Sequence, residues 1–212
     1  MIYSIFYTGV QHIKDNMRKG FFNMALQMEG LGSNQRLGNS ASVESQKLGL
    51  TPWVGETPTV LILGTLPSDD SIKSGAYYQN PRNRFWEIVH HLLGGSVNDK
   101  SKEFLFMHNI ALWDCLKSAQ RKGSTDKKIV KGTEIPNDLN GFLNEHPTIR
   151  YIVLNGTSKT QSYFRKFHKE LYKDYEVKAL PQTSRLNESG RHKISFDEKL
   201  LKWSVLKDLV NA

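Results

Sequence analysis

A single cysteine, Cys115, stands among 212 residues. That excludes an internal disulfide and a zinc or iron–sulfur cluster built on cysteines, and a reducing compartment is the expectation. No window approaches about 18 consecutive apolar residues, which excludes a helical membrane span. The opening Met1–Phe6 is too short and too polar for a signal-peptide core, and basic residues follow it rather than precede it. A soluble, cytoplasmic protein is therefore expected. Acidic residues are in deficit, with 21 Asp+Glu against 29 Lys+Arg and a net charge of +8. Such a surplus favours a polyanionic partner without identifying it. What is present suffices for a core: hydrophobic residues make up 38% and aromatics 10%. Wholesale disorder is excluded, and the length suits one domain with some excess.

The excess lies at the start. Residues 30–49 are rich in Gly, Ser, Asn and Gln, a composition that buries too little surface to offset ordering entropy, so a flexible linker is expected there. Residues 1–29 hold Phe and Met without a period. They read either as a short packed helix or as residues upstream of the true start, with Met17, Met24 or Met28 as initiator; the second is preferred. Residues 1–50 are thus expected to be an extension and linker, and 51–212 one domain.

From Thr51 the chain is strongly patterned. Thr59–Leu63 and Ile149–Leu154 are continuous aliphatic and β-branched runs ending at Gly64 and at Asn155-Gly156, the mark of strands buried on both faces. Ile110–Trp113 and Tyr175–Leu180 are weaker strands. Helical spacing covers 83–93, stopped by Gly94-Gly95, and 157–172, where basic residues surround an aromatic stripe. Ser195 with Glu198 has capping-box spacing ahead of a last helix. Strands alternating with helices predict an α/β domain, a three-layer α/β/α sandwich on a short parallel sheet.

Ligands of such sheets bind at the carboxyl ends of the strands. Gly64–Ser68, Asn155–Thr157 and Leu180–Ser184 all fall there. Tyr77, Tyr78, Phe85 and Trp86 offer flat apolar faces beside the amides of Asn80 and Asn83, a combination suited to a flipped nucleobase. The same aromatics would serve as core and Asn83 as a helix cap, and residue types alone leave both readings open. Asn155-Gly156 taken alone is a plain strand-to-helix turn. Asp69-Asp70 reads as a solvated pair without partners at metal-ligand spacing, and His90-His91 as one surface and one core position. Cys115 reads as a small apolar residue. No metal is expected.

Taken together, LILGTLPSDDSI and YYQNPRNRFW (within 61–86), IALWDCLKSAQRKGSTDKKI (110–129), IRYIVLNGTSKT (149–160), LPQTSRLN (180–187) and SFDEKLLKW (195–203) resemble the uracil-DNA glycosylase superfamily, and within it the hypoxanthine-DNA (deoxyinosine) glycosylase branch, its family 6. The resemblance spans 51–205 with the motifs in order. It implies a DNA glycosylase that hydrolyses the N-glycosidic bond of a deaminated base, hypoxanthine with uracil as a second substrate, and leaves an abasic site without cutting the strand. It implies no cofactor, DNA as partner, and a monomer. Related mismatch-specific enzymes carry a catalytic Asn where this chain has Leu66, and the hypoxanthine branch assigns the role to Asn83.

By the same resemblance Gly64, Thr65, Leu66, Tyr78, Phe85 and Asn155 would hold the base. Tyr78 or Phe85 would stack on it, and backbone N–H groups of Gly64–Leu66 would meet its oxygen. Gln182, Thr183, Ser184, Arg185, Leu186 and Asn187 form the loop expected to enter the minor groove, with Gln182, Arg185 and Leu186 departing from the group's usual LPSTSPAN. Lys159, Arg191 and Lys193 would add phosphate contacts. A neutral Asn83 would orient water through its carbonyl oxygen. The classical His donor is absent from the start of the last motif, so the source of any leaving-group proton stays open. A non-catalytic DNA-binding relative and a nucleoside hydrolase are the competing readings.

Overall fold

The computed structural model describes residues 45–190 and 193–212, which belong to a compact unit spanning Ser42–Ala212. Four parallel strands carry it: β2 (Val60–Gly64), β3 (Ile110–Asp114), β6 (Tyr151–Asn155) and β7 (Glu176–Leu180), in the order β3-β2-β6-β7. Every residue of β2 is buried, because it is central and alternate side chains enter different layers. Val60 and Ile62 pack with α2 (Phe85–Leu93), α3 (Lys102–Met107), α6 (Phe196–Trp203) and α7 (Val205–Asn211). Leu61 and Leu63 pack with α4 (Leu139–Glu145) and α5 (Lys159–Phe167) on the opposite face. The α/β/α sandwich is therefore as expected. Among the described residues no helix is long and apolar enough to cross a membrane.

The remaining short helix, α1 (Asp69–Ser74), follows β2 and is capped by the Ser68 hydroxyl. A second sheet accompanies the first: β4 (Leu116–Arg121) pairs antiparallel with β1 (Ser45–Leu48) on one side and β5 (Ile135–Pro136) on the other. β1 corrects the expected linker and the boundary at residue 51. Its sequence SQKL is polar and mostly exposed, held by backbone pairing rather than by burial, so composition does not reveal it. The expected linker over 30–44, the readings of residues 1–29 and the candidate initiators lie outside the described residues.

Two helices end differently from expectation. The one expected over 157–172 is α5 followed by a separate 3-10 turn, Lys169–Tyr172. The last helix begins at the expected capping box, with both reciprocal bonds of Ser195 and Glu198 made, and divides at Ser204 into α6 and α7. Trp203 closes α6 in the core and donates its indole N–H to the Pro181 carbonyl at 2.9 Å, tying the last helices to the chain just beyond β7.

Candidate active site

The carboxyl ends of all four parallel strands open into one cleft of ≈ 460 Å³. Gly64–Ser68 follow β2, Asp114 ends β3, Asn155 ends β6, and Gln182–Ser184 follow β7; Tyr78, Asn83 and Asp126 complete the wall. The loop after β2 is held from behind by Arg121 of β4. This fully buried guanidinium donates to the Leu66 carbonyl at 3.2 Å, to the Pro67 carbonyl, and to the Gly123 carbonyl at 2.8 Å. Leu66, at the position where related enzymes place an amide, is buried in the apolar cluster that holds Leu63 and Cys115 and also lines the cleft. Thr65 is buried, with its Oγ1 2.9 Å from that of Thr160.

One hydrogen-bonded set joins the three loops. Asn155 spends its whole carboxamide on it: Nδ2 donates to the Tyr78 hydroxyl at 3.0 Å and to Thr183 Oγ1 at 2.9 Å, while Oδ1 accepts from Thr183 N–H at 2.9 Å. Thr183 Oγ1 then donates to Asn83 Oδ1 at 2.8 Å, which also accepts the Phe85 N–H at 2.9 Å. Asn83 stands one residue before Arg84, the N-cap of α2, and takes the first helical N–H in an Asx turn, so it is not itself the cap expected from its residue type. The backbone donor at Phe85 also fixes which way the amide faces. Both lone pairs of Oδ1 are engaged, so the expectation that this oxygen orients water is corrected: the NH₂ is the free end of this cleft-lining side chain.

Tyr78 sits at φ 55°, a conformation costly for a bulky residue, with its ring stacked on Phe85 at 3.9 Å and 16°. Phe85 is fully buried behind Tyr78 and does not line the cleft, so of the two aromatics expected to meet a base only Tyr78 reaches it. Two carboxyls that sequence reading passed over also face the cleft, Asp114 and Asp126. Burial, then the charge of Asp126, pushes the Asp114 carboxyl up to about 8. Asp126 is also raised by burial, an effect offset in part by Thr65, Arg121 and Lys159.

The Uracil DNA glycosylase superfamily model matches residues 52–209. This chain belongs to the uracil DNA glycosylase superfamily. Among its relatives, a hypoxanthine DNA glycosylase of Methanosarcina acetivorans is 37% identical over 147 residues, covering 66% of this chain and 88% of that protein. Another, from Methanosarcina barkeri, is 31% identical over 163 residues, covering 75% and 96%. The solution NMR structure of a candidate uracil DNA glycosylase from Methanosarcina acetivorans superposes with a TM-score of 0.64 at 32% identity, covering 78% of this chain and 99% of that one.

In this superfamily member the loop after β7 divides in two. Thr183 is fully buried in the hydrogen-bonded set, which corrects its expected place against DNA. Ser184 is half-buried and bridges Asn83 backbone to backbone, while Gln182 and Arg185 are exposed. Leu186 stands 63% exposed at the tip, an apolar side chain held out of the core, and Asn187 braces the loop from its Nδ2 to the Gln182 carbonyl at 3.1 Å. Lys199 of α6, itself fully buried, donates to the Ser184 carbonyl at 2.8 Å and to Glu188 at 2.9 Å, and Arg84 reaches the same Glu188 at 3.3 Å. Lys159 is exposed at the start of α5 on the cleft rim, and Lys193 is exposed beyond the loop. Arg191 lies outside the described residues.

Arg121, Lys199 and Glu188 gave no sequence signal, since isolated charges read as surface. Asp114 carried only a faint one, its place directly after an apolar strand.

Proposed function

We propose that this protein is a monofunctional DNA glycosylase that removes hypoxanthine from DNA, accepts uracil as a second base, and leaves an abasic site. The observation that carries the reading is the Tyr78–Asn155–Thr183–Asn83 set, built at the floor of the cleft and continuous with the loop that ends in Arg185 and Leu186. A base extruded from the duplex would lie against Tyr78, with backbone N–H groups of Gly64–Leu66 near its oxygen. Leu186 would fill the space it leaves, and Arg185, Lys159 and Lys193 would hold phosphates.

The glycosidic bond breaks with positive charge developing on the sugar. Water attacking such a cation needs position more than basicity. The free NH₂ of Asn83 can hold a water by one lone pair and leave another for C1′, with Thr183 and Phe85 keeping the amide from turning. Asn83 is therefore a positioning donor, and most of the rate must come from electrostatic stabilisation and from the leaving base.

The test uses end-labelled duplexes carrying one deoxyinosine or one deoxyuridine, treated with alkali after reaction. Alkali-dependent breaks at deoxyinosine, reduced by about 100-fold or more in Asn83→Ala while DNA binding persists, are expected. Cleavage at deoxyuridine alone would overturn the hypoxanthine assignment. Binding without cleavage of either duplex would favour the non-catalytic relative, and excision indifferent to salt would favour a nucleoside hydrolase.

A further inference from the structure

Asp114 has no task in the mechanism so far, yet its setting is that of a working group. It ends β3 in register with Gly64 of β2, and its carboxyl lies over Gly64 so closely that a Cβ there would overlap Oδ1. Only 4% of the residue is exposed, it lines the cleft, and its Oδ2 is sealed with no hydrogen-bond partner among the described residues. An ionised carboxylate so placed would lack the donors it needs. The titratable groups around it are the Tyr77 and Tyr78 hydroxyls, the Cys115 thiol, Asp126 from the 3-10 turn Asp126–Lys128, and Arg121 from β4. Asp126 has the Arg121 guanidinium at 3.5 Å and its charged form is favoured by the Thr65 hydroxyl and by Lys159 as well, so the pair's negative charge settles there. Asp114 faces that charge and keeps its proton. Tyr78 is not the donor: burial, then Asp114, holds its hydroxyl far above the ordinary phenol value.

We propose that Asp114 is the acid that protonates the departing base, and that Asp126 is its supporting carboxylate in the cleft wall. The proposal rests on the glycosylase reading and supplies the proton donor that the sequence leaves unassigned. As the C1′–N9 bond breaks, its electron pair stays on N9. The Asp114 proton passes to N7 of the purine, so hypoxanthine leaves neutral. Water adds its oxygen to C1′, and the proton it sheds restores the Asp114 carboxyl. One water is consumed, and a neutral base and an abasic sugar are formed.

Single-turnover excision from a deoxyinosine duplex, followed from about pH 5 to about pH 10, tests the assignment in wild type, Asp114→Asn and Asp126→Asn. Thermal unfolding and binding to a duplex carrying a tetrahydrofuran abasic analogue are measured on the same proteins. The wild-type rate is expected to fall roughly tenfold per pH unit above about pH 8 as the acid ionises. Asp114→Asn is expected to fold, bind, react about 100-fold or more slowly at neutral pH, and lack that alkaline limb. In Asp126→Asn the limb should survive but move to lower pH, since Arg121 then favours an ionised Asp114. An Asp114→Asn protein within about tenfold of wild type, or one that keeps the limb, overturns the acid role alone. A limb that stays in place in Asp126→Asn overturns the role of Asp126, and a wild-type rate without an alkaline limb overturns the acid role of Asp114 even if Asp114→Asn fails to fold. Absence of excision by wild type at every pH overturns the glycosylase reading and the proposal with it.

Discussion

At the scale of single residues, the site depends on amides and hydroxyls whose every hydrogen bond is assigned. Thr183 is the joint, because its hydroxyl accepts from Asn155 and donates to Asn83, and no other side-chain type supplies both at that volume except Ser. Thr183→Val keeps the shape and removes both bonds, leaving a buried Asn155 donor unpaired. A stability loss of about 1–3 kcal/mol in denaturant unfolding is expected, together with an excision rate roughly 10- to 100-fold lower. A rate loss without a stability loss would place Thr183 outside the buried set. Asn155 was legible at the end of a patterned strand, whereas Asn83, just ahead of α2, was legible only through the resemblance. The direction of the Asn83 amide was not, since it is set by a backbone N–H two residues away and a hydroxyl 100 positions away.

Among elements, the loop after β7 is the part with a task and little core of its own. It is fastened by α6 through Lys199 and Trp203 and by the start of α2 through Arg84 and Glu188. Lys199→Met keeps the packing volume and removes the donor to Ser184 and Glu188. Glu188 retains Arg84, so a loss of about 1.5 kcal/mol, at the low end of the range for a broken charged hydrogen bond, is expected. The weakening of DNA binding should exceed the change in rate at saturating protein, because this loop is the part expected to enter the duplex. Equal binding by Lys199→Met and wild type would detach α6 from the loop's function. The inner parallel strands β2 and β6 and the edge strand β3 could be read from the sequence as buried apolar runs, and the antiparallel sheet could not, since β1 is short and polar and β5 is only two residues long. A buried Lys or Arg is likewise invisible until the fold brings its partners together.

For the whole molecule, two global responses follow from charge. The net charge of +8 should make DNA affinity fall steeply with salt. Replacing Arg185 by Ala should lower the slope of log affinity against log salt by about 1 if it holds one phosphate, and leave it unchanged if it does not. Asp114 controls the response to pH. Its ordinary value is 3.8 and burial with Asp126 raises it to about 8, so between those limits the folded chain holds a proton that the unfolded chain has lost. Its contribution to stability is full below about pH 4 and declines as pH rises toward about 8. Asp114→Asn removes the decline, so the variant should gain stability relative to wild type when denaturant curves at about pH 5 and about pH 8 are compared. A constant difference between the two proteins would mean that Asp114 is ionised in the folded state.

The central claim is that this cleft releases a base and leaves the strand whole. Its most direct measurement is chromatography with mass detection of the small molecules freed from a deoxyinosine duplex, alongside the length of the treated strand before alkali. Free hypoxanthine in equal amount to the alkali-labile sites, from a full-length strand, with release slowed by about 100-fold or more in Asn83→Ala, is the expected result. Release of a nucleoside or nucleotide in its place, or a strand already shortened before alkali, would contradict it.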